Sequence, residues 1–147
     1  TGDGTRLYVE DTGYANRVLT YSAGTFNEVA NDASGGGDRV PVYDGTNVWI
    51  CGSDQTCIPA HFTGTNFVDG STIITGLEPT IALAQNGYIY AVIGNTIEAY
   101  KVNGFDSVTP IAYYPVPWPY LAGLASDGTY IYIAGNDDTT YVFRACQ

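Results

Sequence analysis

Few side chains in this sequence could carry chemistry. His61 is the only histidine, so a zinc centre or a Ser-His-acid arrangement lacks the partners such sites normally recruit, and a structural role is expected for it. No Gly-x-Ser-x-Gly elbow, phosphate-binding Walker loop or Cys-x-x-Cys pair is present. Acids gather instead in connecting segments: Glu10, Asp11, Asp38, Asp54, Glu78, Asp137 and Asp138. Turns favour Asp and Asn for their own backbone geometry. The alternative is a hard-cation site, and Asn136-Asp137-Asp138 is the tightest run of the oxygen ligands that Ca²⁺ takes, although the full Asp-x-Asp-x-Asp-Gly spacing is missing. No cofactor is expected, and Ca²⁺ is the one cation the sequence offers.

The second group is aromatic. In Tyr113-Tyr-Pro-Val-Pro-Trp-Pro-Tyr120 three prolines stiffen a segment carrying Trp118, with Tyr114 and Tyr120 at its flanks. Rigid aromatics beside carboxylates suit a sugar or peptide surface, so Trp118, Tyr120, Tyr114, Asp137 and Asp138 form the expected ligand-binding set. The competing role for Trp118 is to plug a groove between packed sheets. The third group is thiol. Cys51 and Cys57, six residues apart, are expected to form a disulfide between neighbouring strands, which implies an oxidising, extracellular setting. Two reduced, buried cysteines are the alternative, and Cys146 is left over.

Composition narrows the classes. Five Lys and Arg stand against fifteen Asp and Glu, a net charge of −10, which gives no electrostatic basis for binding nucleic acid or an anionic membrane. Apolar runs such as Ile89-Tyr-Ala-Val-Ile93 fall far short of the roughly 18 to 20 residues that a spanning helix needs. With 45% hydrophobic residues and only 14% charged, the chain is neither disordered nor a helical bundle. Thirteen tyrosines and eighteen glycines point to an all-β protein. Because the first residue is Thr1 rather than Met, a processed or excised chain is expected.

The elements that must position these residues repeat. Asp3-Gly-Thr-Arg-Leu-Tyr8, Asp44-Gly-Thr-Asn-Val-Trp49, Asn86-Gly-Tyr-Ile-Tyr90 and Asp127-Gly-Thr-Tyr-Ile-Tyr132 are versions of one tract. Their aromatics recur about every 41 residues, and Gly24, Gly64 and Gly104 form a second series at nearly the same spacing. Each Asp/Asn-Gly pair is expected at the centre of a two-residue hairpin, where both positions need positive φ. An apolar strand precedes the turn (Arg39 to Tyr43, Thr80 to Ala84, Tyr120 to Ala125), the aromatic strand follows, then a third strand (Val18 to Ala23, Cys57 to Phe62, Ile97 to Val102, Tyr141 to Cys146) and a polar fourth. Continuous apolar tracts such as Tyr88 to Ile93 belong inside, whereas Gly-interrupted polar ones belong at an edge. Four antiparallel strands per unit of this length, apolar within and polar without, describe a β-propeller blade. A β-sandwich is the rival, but it gives no reason for an aromatic at a constant offset from a turn.

The tract Tyr120-Leu-Ala-Gly-Leu-Ala-Ser-Asp-Gly-Thr-Tyr-Ile-Tyr-Ile-Ala-Gly-Asn136 resembles the repeats of secreted propellers of the YVTN, NHL and quinoprotein-like kind, and the resemblance covers nearly the whole chain. It implies the fold and little of the function, since such propellers include lectins, scaffolds, lactonases and dehydrogenases. The expected organisation is one propeller segment over 1–147, with blades near 1–38, 39–79, 80–119 and 120–147. The first blade lacks its inner strand and the last its outer one, so the chain should continue into further blades or associate with copies of itself. The expected function is a non-enzymatic extracellular module for recognition, adhesion or assembly, with a glycan or protein surface as partner. The alternative is a piece of a secreted hydrolase or oxidoreductase whose catalytic groups lie elsewhere.

Overall fold

The computed structural model describes residues 1–10, 16–32, 39–52, 56–71, 74–75, 81–115, 121–135 and 138–147. Among them every regular element is a strand. The first sheet is β1 (Arg6–Glu10), β2 (Asn16–Ser22) and β3 (Thr25–Asp32). The second is β4 (Arg39–Tyr43), β5 (Val48–Gly52), β6 (Thr56–Phe62) and β7 (Phe67–Asp69), with β8 (Ile74–Thr75) also pairing with β6. The third is β9 (Ile81–Gln85), β10 (Tyr88–Ile93), β11 (Thr96–Gly104) and β12 (Ser107–Pro115), and the fourth β13 (Leu121–Ser126), β14 (Tyr130–Gly135) and β15 (Thr140–Arg144). All pairings are antiparallel meanders. The strand arrangement matches the sequence reading, except that the outer strand of the second sheet is split into two pieces.

The core lies between sheets. Tyr8 and Val18 of the first sheet meet Val48, Ile50, Ala60 and Phe62 of the second. Val42, Trp49, Cys51 and Cys57 on the other side of the second sheet meet Ile89, Ala91 and Tyr100 of the third. Tyr90, Val92, Ile97 and Ala99 on the third then meet Ile131, Ile133 and Ala145. Side chains alternate across a strand, so β5 and β10 are apolar at successive positions because both of their faces are covered. The periodic aromatics Tyr8, Trp49 and Tyr90 each point to the sheet that follows in the chain. Tyr132 occupies the matching register on β14, on the face opposite Ile131 and Ile133.

The turns depart from expectation in an instructive way. Of the four Asp/Asn-Gly pairs only Asn86-Gly87 has positive φ at both positions, 53° and 79°, the hairpin geometry foreseen for all four; Ala23-Gly24, between β2 and β3, shares it at 51° and 83°. In the three Asp-Gly-Thr turns the glycine alone is left-handed, at 86° for Gly4, 103° for Gly45 and 96° for Gly128. There the aspartate opens the turn and its side chain accepts hydrogen bonds from the backbone N–H groups two and three residues on, the Asx-turn arrangement. One glycine sits where a side chain would crowd its neighbours. A Cβ on Gly70 would lie 2.2 Å from Oδ1 of Asp106, whose carboxylate accepts from the Ser71 N–H at 2.9 Å across the second and third sheets.

Cys51 and Cys57 are directly paired in register on β5 and β6 with Cα atoms 4.0 Å apart, and they form the expected disulfide. It is buried against the third sheet. Closing so short a loop stabilises by about 2 to 3 kcal/mol. Replacing both cysteines by alanine should lower the unfolding free energy in urea by about that amount while the β-type circular dichroism is retained; an unchanged midpoint would show that the bridge carries no stability.

Candidate functional site

Three carboxylates are held in one recurring geometry. Oδ2 of Asp3 accepts from the Tyr8 hydroxyl at 2.9 Å, Oδ2 of Asp44 from the Trp49 indole N–H at 2.6 Å, and Oδ2 of Asp127 from the Tyr132 hydroxyl at 2.6 Å. One oxygen thus organises the turn while the other orients the aromatic five residues on. This is why the repeat carries an aspartate and why its aromatic is always Tyr or Trp, never Phe. The Asn86 repeat is one residue shorter, and there the Tyr90 hydroxyl instead accepts from the Cys146 N–H at 2.7 Å, tying the third sheet to the end of the fourth.

These pairs are electrostatically settled. Burial opposes the Asp3 charge, but the backbone N–H groups of Arg6 and Thr5 and the Tyr8 hydroxyl outweigh it and bring the carboxyl from the ordinary 3.8 to about 2. Asp127 is lowered by the Tyr132 hydroxyl and the N–H groups of Tyr130 and Thr129. Tyr8 is pushed up to about 12 by burial and by its bond to Asp3. Tyr90 is likewise pushed up to about 12, mainly by burial, and Tyr100 is raised by burial and its bond to Glu98. At neutral pH Tyr8 and Tyr100 are protonated donors and Asp3 and Asp127 ionised acceptors, while the protonated Tyr90 hydroxyl accepts from Cys146. Their chemistry is positioning rather than proton exchange.

Of the residues expected to bind ligand, Trp118, Tyr120 and Asp137 lie outside the described residues, as do Asp11, Asp38, Asp54, Glu78 and Asn136. Asp138 is exposed in the turn between β14 and β15, with φ of 60°. Among the described residues no three of His, Cys, Asp and Glu gather as metal ligands. Tyr114 is 49% exposed, and its ring meets Phe143 edge-on at 5.1 Å, bracing the outer strand of the third sheet on the fourth. Tyr113 turns the other way and is 68% exposed, an exposed aromatic that the sequence reading passed over. Nothing in the sequence marks it, because its facing is set by a bulge in β12: the register slips between Ala99/Tyr100 and resets which residues face outward. His61 is exposed near the end of β6, so it contributes nothing to the core. Cys146 keeps a free thiol and packs at the edge of the third interface.

No known protein family matches the chain, and none of the curated proteins is similar to it in sequence.

Two outcomes follow from the carboxylate geometry. Trp49 is fully buried, so Asp44→Ala orphans an indole N–H in the core and should cost about 1 to 3 kcal/mol. Asp127→Ala, at an exposed turn, should cost distinctly less; equal losses in chemical denaturation would contradict the assigned roles. Because the folded-state pKa of Asp3 lies below its ordinary value, its contribution is present above about pH 4 and lost as pH falls through about 2. Stability measured between pH 4 and 2 should therefore decline, and Asp3→Asn should flatten that slope.

Proposed function

We propose that this chain is a β-propeller-type module of non-enzymatic recognition and assembly that works outside the cell. The propeller reading is supported by the stacking of successive meanders: the first strands of the four sheets, β1, β4, β9 and β13, pack on one another in chain order, and β3, β7 and β12 lie at the far edge of their sheets. The extracellular reading is supported by the Cys51–Cys57 disulfide. No helix among the described residues is long and apolar enough to cross a membrane.

One observation carries the recognition role. The outermost strand of the third sheet ends in Tyr113 and Tyr114, both exposed, just where it enters the proline-stiffened tract holding Trp118 and Tyr120. Tyrosine and tryptophan offer broad flat area at low entropic cost and stack on sugar rings, while Asp138 and Asp137 supply acceptors for hydroxyls or a bridging Ca²⁺. A glycan is therefore the first ligand to test, and a protein surface the second.

Trp118→Ala and Tyr113→Ala should abolish binding to an immobilised glycan panel without lowering the thermal midpoint. Tyr114→Ala should weaken binding and also lose about 0.5 to 1.5 kcal/mol of stability through its contact with Phe143. If no glycan binds the unaltered chain, or if Trp118→Ala lowers the midpoint by several degrees, the site assignment fails.

A further inference from the structure

Each interface between consecutive sheets joins two unlike faces. One bears the periodic aromatic of the earlier sheet, Tyr8, Trp49 or Tyr90, and the other bears alternate aliphatic residues of the following sheet's second strand or, in the first sheet's case, its first. The stack is therefore polar, with all its aromatics aimed the same way. Among the described residues, one face of each kind stands exposed at its two ends. The fourth sheet shows Tyr132 with Val142, which is 54% exposed and paired with it in register. The first sheet shows Leu7 and Leu19, paired in register, with Tyr21 at 65% and Phe26 at 59% exposure. These last four residues border a hollow of about 400 Å³.

We propose that these two faces are the halves of one further interface and that each is filled by a second copy of this chain, joined head to tail. The pairing deepens the assembly role proposed above and rests on it. Three arguments favour a second copy. The head face lies on β1 and β2, whose other side already makes the first interface, so the new contact continues an interface the chain is built from. The tail face presents the same residue type, in the same register, that fills the three internal interfaces. Finally, any copy carrying the head also carries the tail, so two copies can satisfy each other completely. Together they supply eight sheets, within the roughly four to eight blades that propeller rings contain. A head-to-tail contact of this kind ends when its rotation closes a ring.

The faces also specify what does not pair. Head against head would set two hollows together with no periodic aromatic to fill either, and tail against tail would oppose two Tyr132 side chains with no hollow to receive them. With a charge of −10 on each copy, long-range repulsion opposes the pairing, and salt should favour it.

The test is the native mass of the unaltered chain and of two variants, by light scattering on a sizing column. Val142→Glu blocks the tail and Phe26→Glu blocks the head; both positions are exposed, so each variant should retain its β-type circular dichroism. The unaltered chain should run at twice 15.7 kDa, more completely in added salt. Each variant alone should run as a monomer. Their equimolar mixture should recover the dimer through the one unblocked junction, a result no symmetric head-to-head or tail-to-tail contact gives. A monomeric unaltered chain, a mass above the dimer, or a single variant that still dimerises overturns the proposal. A monomer that nevertheless binds glycans would leave the recognition reading intact and remove only this one.

Discussion

The packing of one sheet's periodic aromatic on the apolar face of the next is the interaction on which the rest of this structure depends. A three- or four-stranded meander with both faces apolar has no stable existence in water by itself, since its backbone pairing is local but its apolar surface is left uncovered. Here each sheet is covered only by its neighbours. The three clusters around Tyr8, Trp49 and Tyr90 are therefore not parts of one central core but successive copies of one contact. Stability should accordingly be distributed along the stack rather than concentrated in one place.

The Asp-Gly-Thr turn serves that contact. By binding two backbone N–H groups with one oxygen and the aromatic's polar tip with the other, the aspartate fixes both the hairpin and the direction of the ring. A phenylalanine would pack but would leave the second oxygen without its donor. Asp3, Asp44 and Asp127 are thus consumed by architecture. The recognition role proposed above therefore falls to exposed aromatics on the outer strands, above all Tyr113 beside the proline-rich tract. A division between a self-satisfied interior and adaptable outer connections is usual where function is grafted on a repeated scaffold.

Much of this was legible in the sequence because it depends on periodicity. The spacing of Tyr8, Trp49, Tyr90 and Tyr132 marks equivalent strand positions, and the pairing of Cys51 with Cys57 follows from a short hairpin. What was not legible depends on contacts that periodicity does not encode. The shorter Asn86 repeat looks like its relatives, yet it alone of the four makes a hairpin with two left-handed residues, and its tyrosine bonds to Cys146, fifty-six positions away. The slip in β12 exchanges the faces of Tyr113 and Tyr114 relative to a simple alternation, so which of them braces the fourth sheet could be seen only in the pairing register. The split of the outer strand into β7 and β8 likewise reflects pairing rather than local preference.

Consecutive sheets are held by apolar contacts across their interface, and at the first interface ring meets ring. Tyr8 of the first sheet and Phe62 of the second meet edge-on with centroids 6.4 Å apart. A double-mutant cycle with Tyr8→Leu and Phe62→Leu, measured by chemical denaturation, tests that contact directly. The predicted result is a coupling energy of about 0.5 to 1.5 kcal/mol. Losses that add to within about 0.3 kcal/mol would mean that the two rings are independent, and would contradict the stacking on which the fold and its proposed assembly rest.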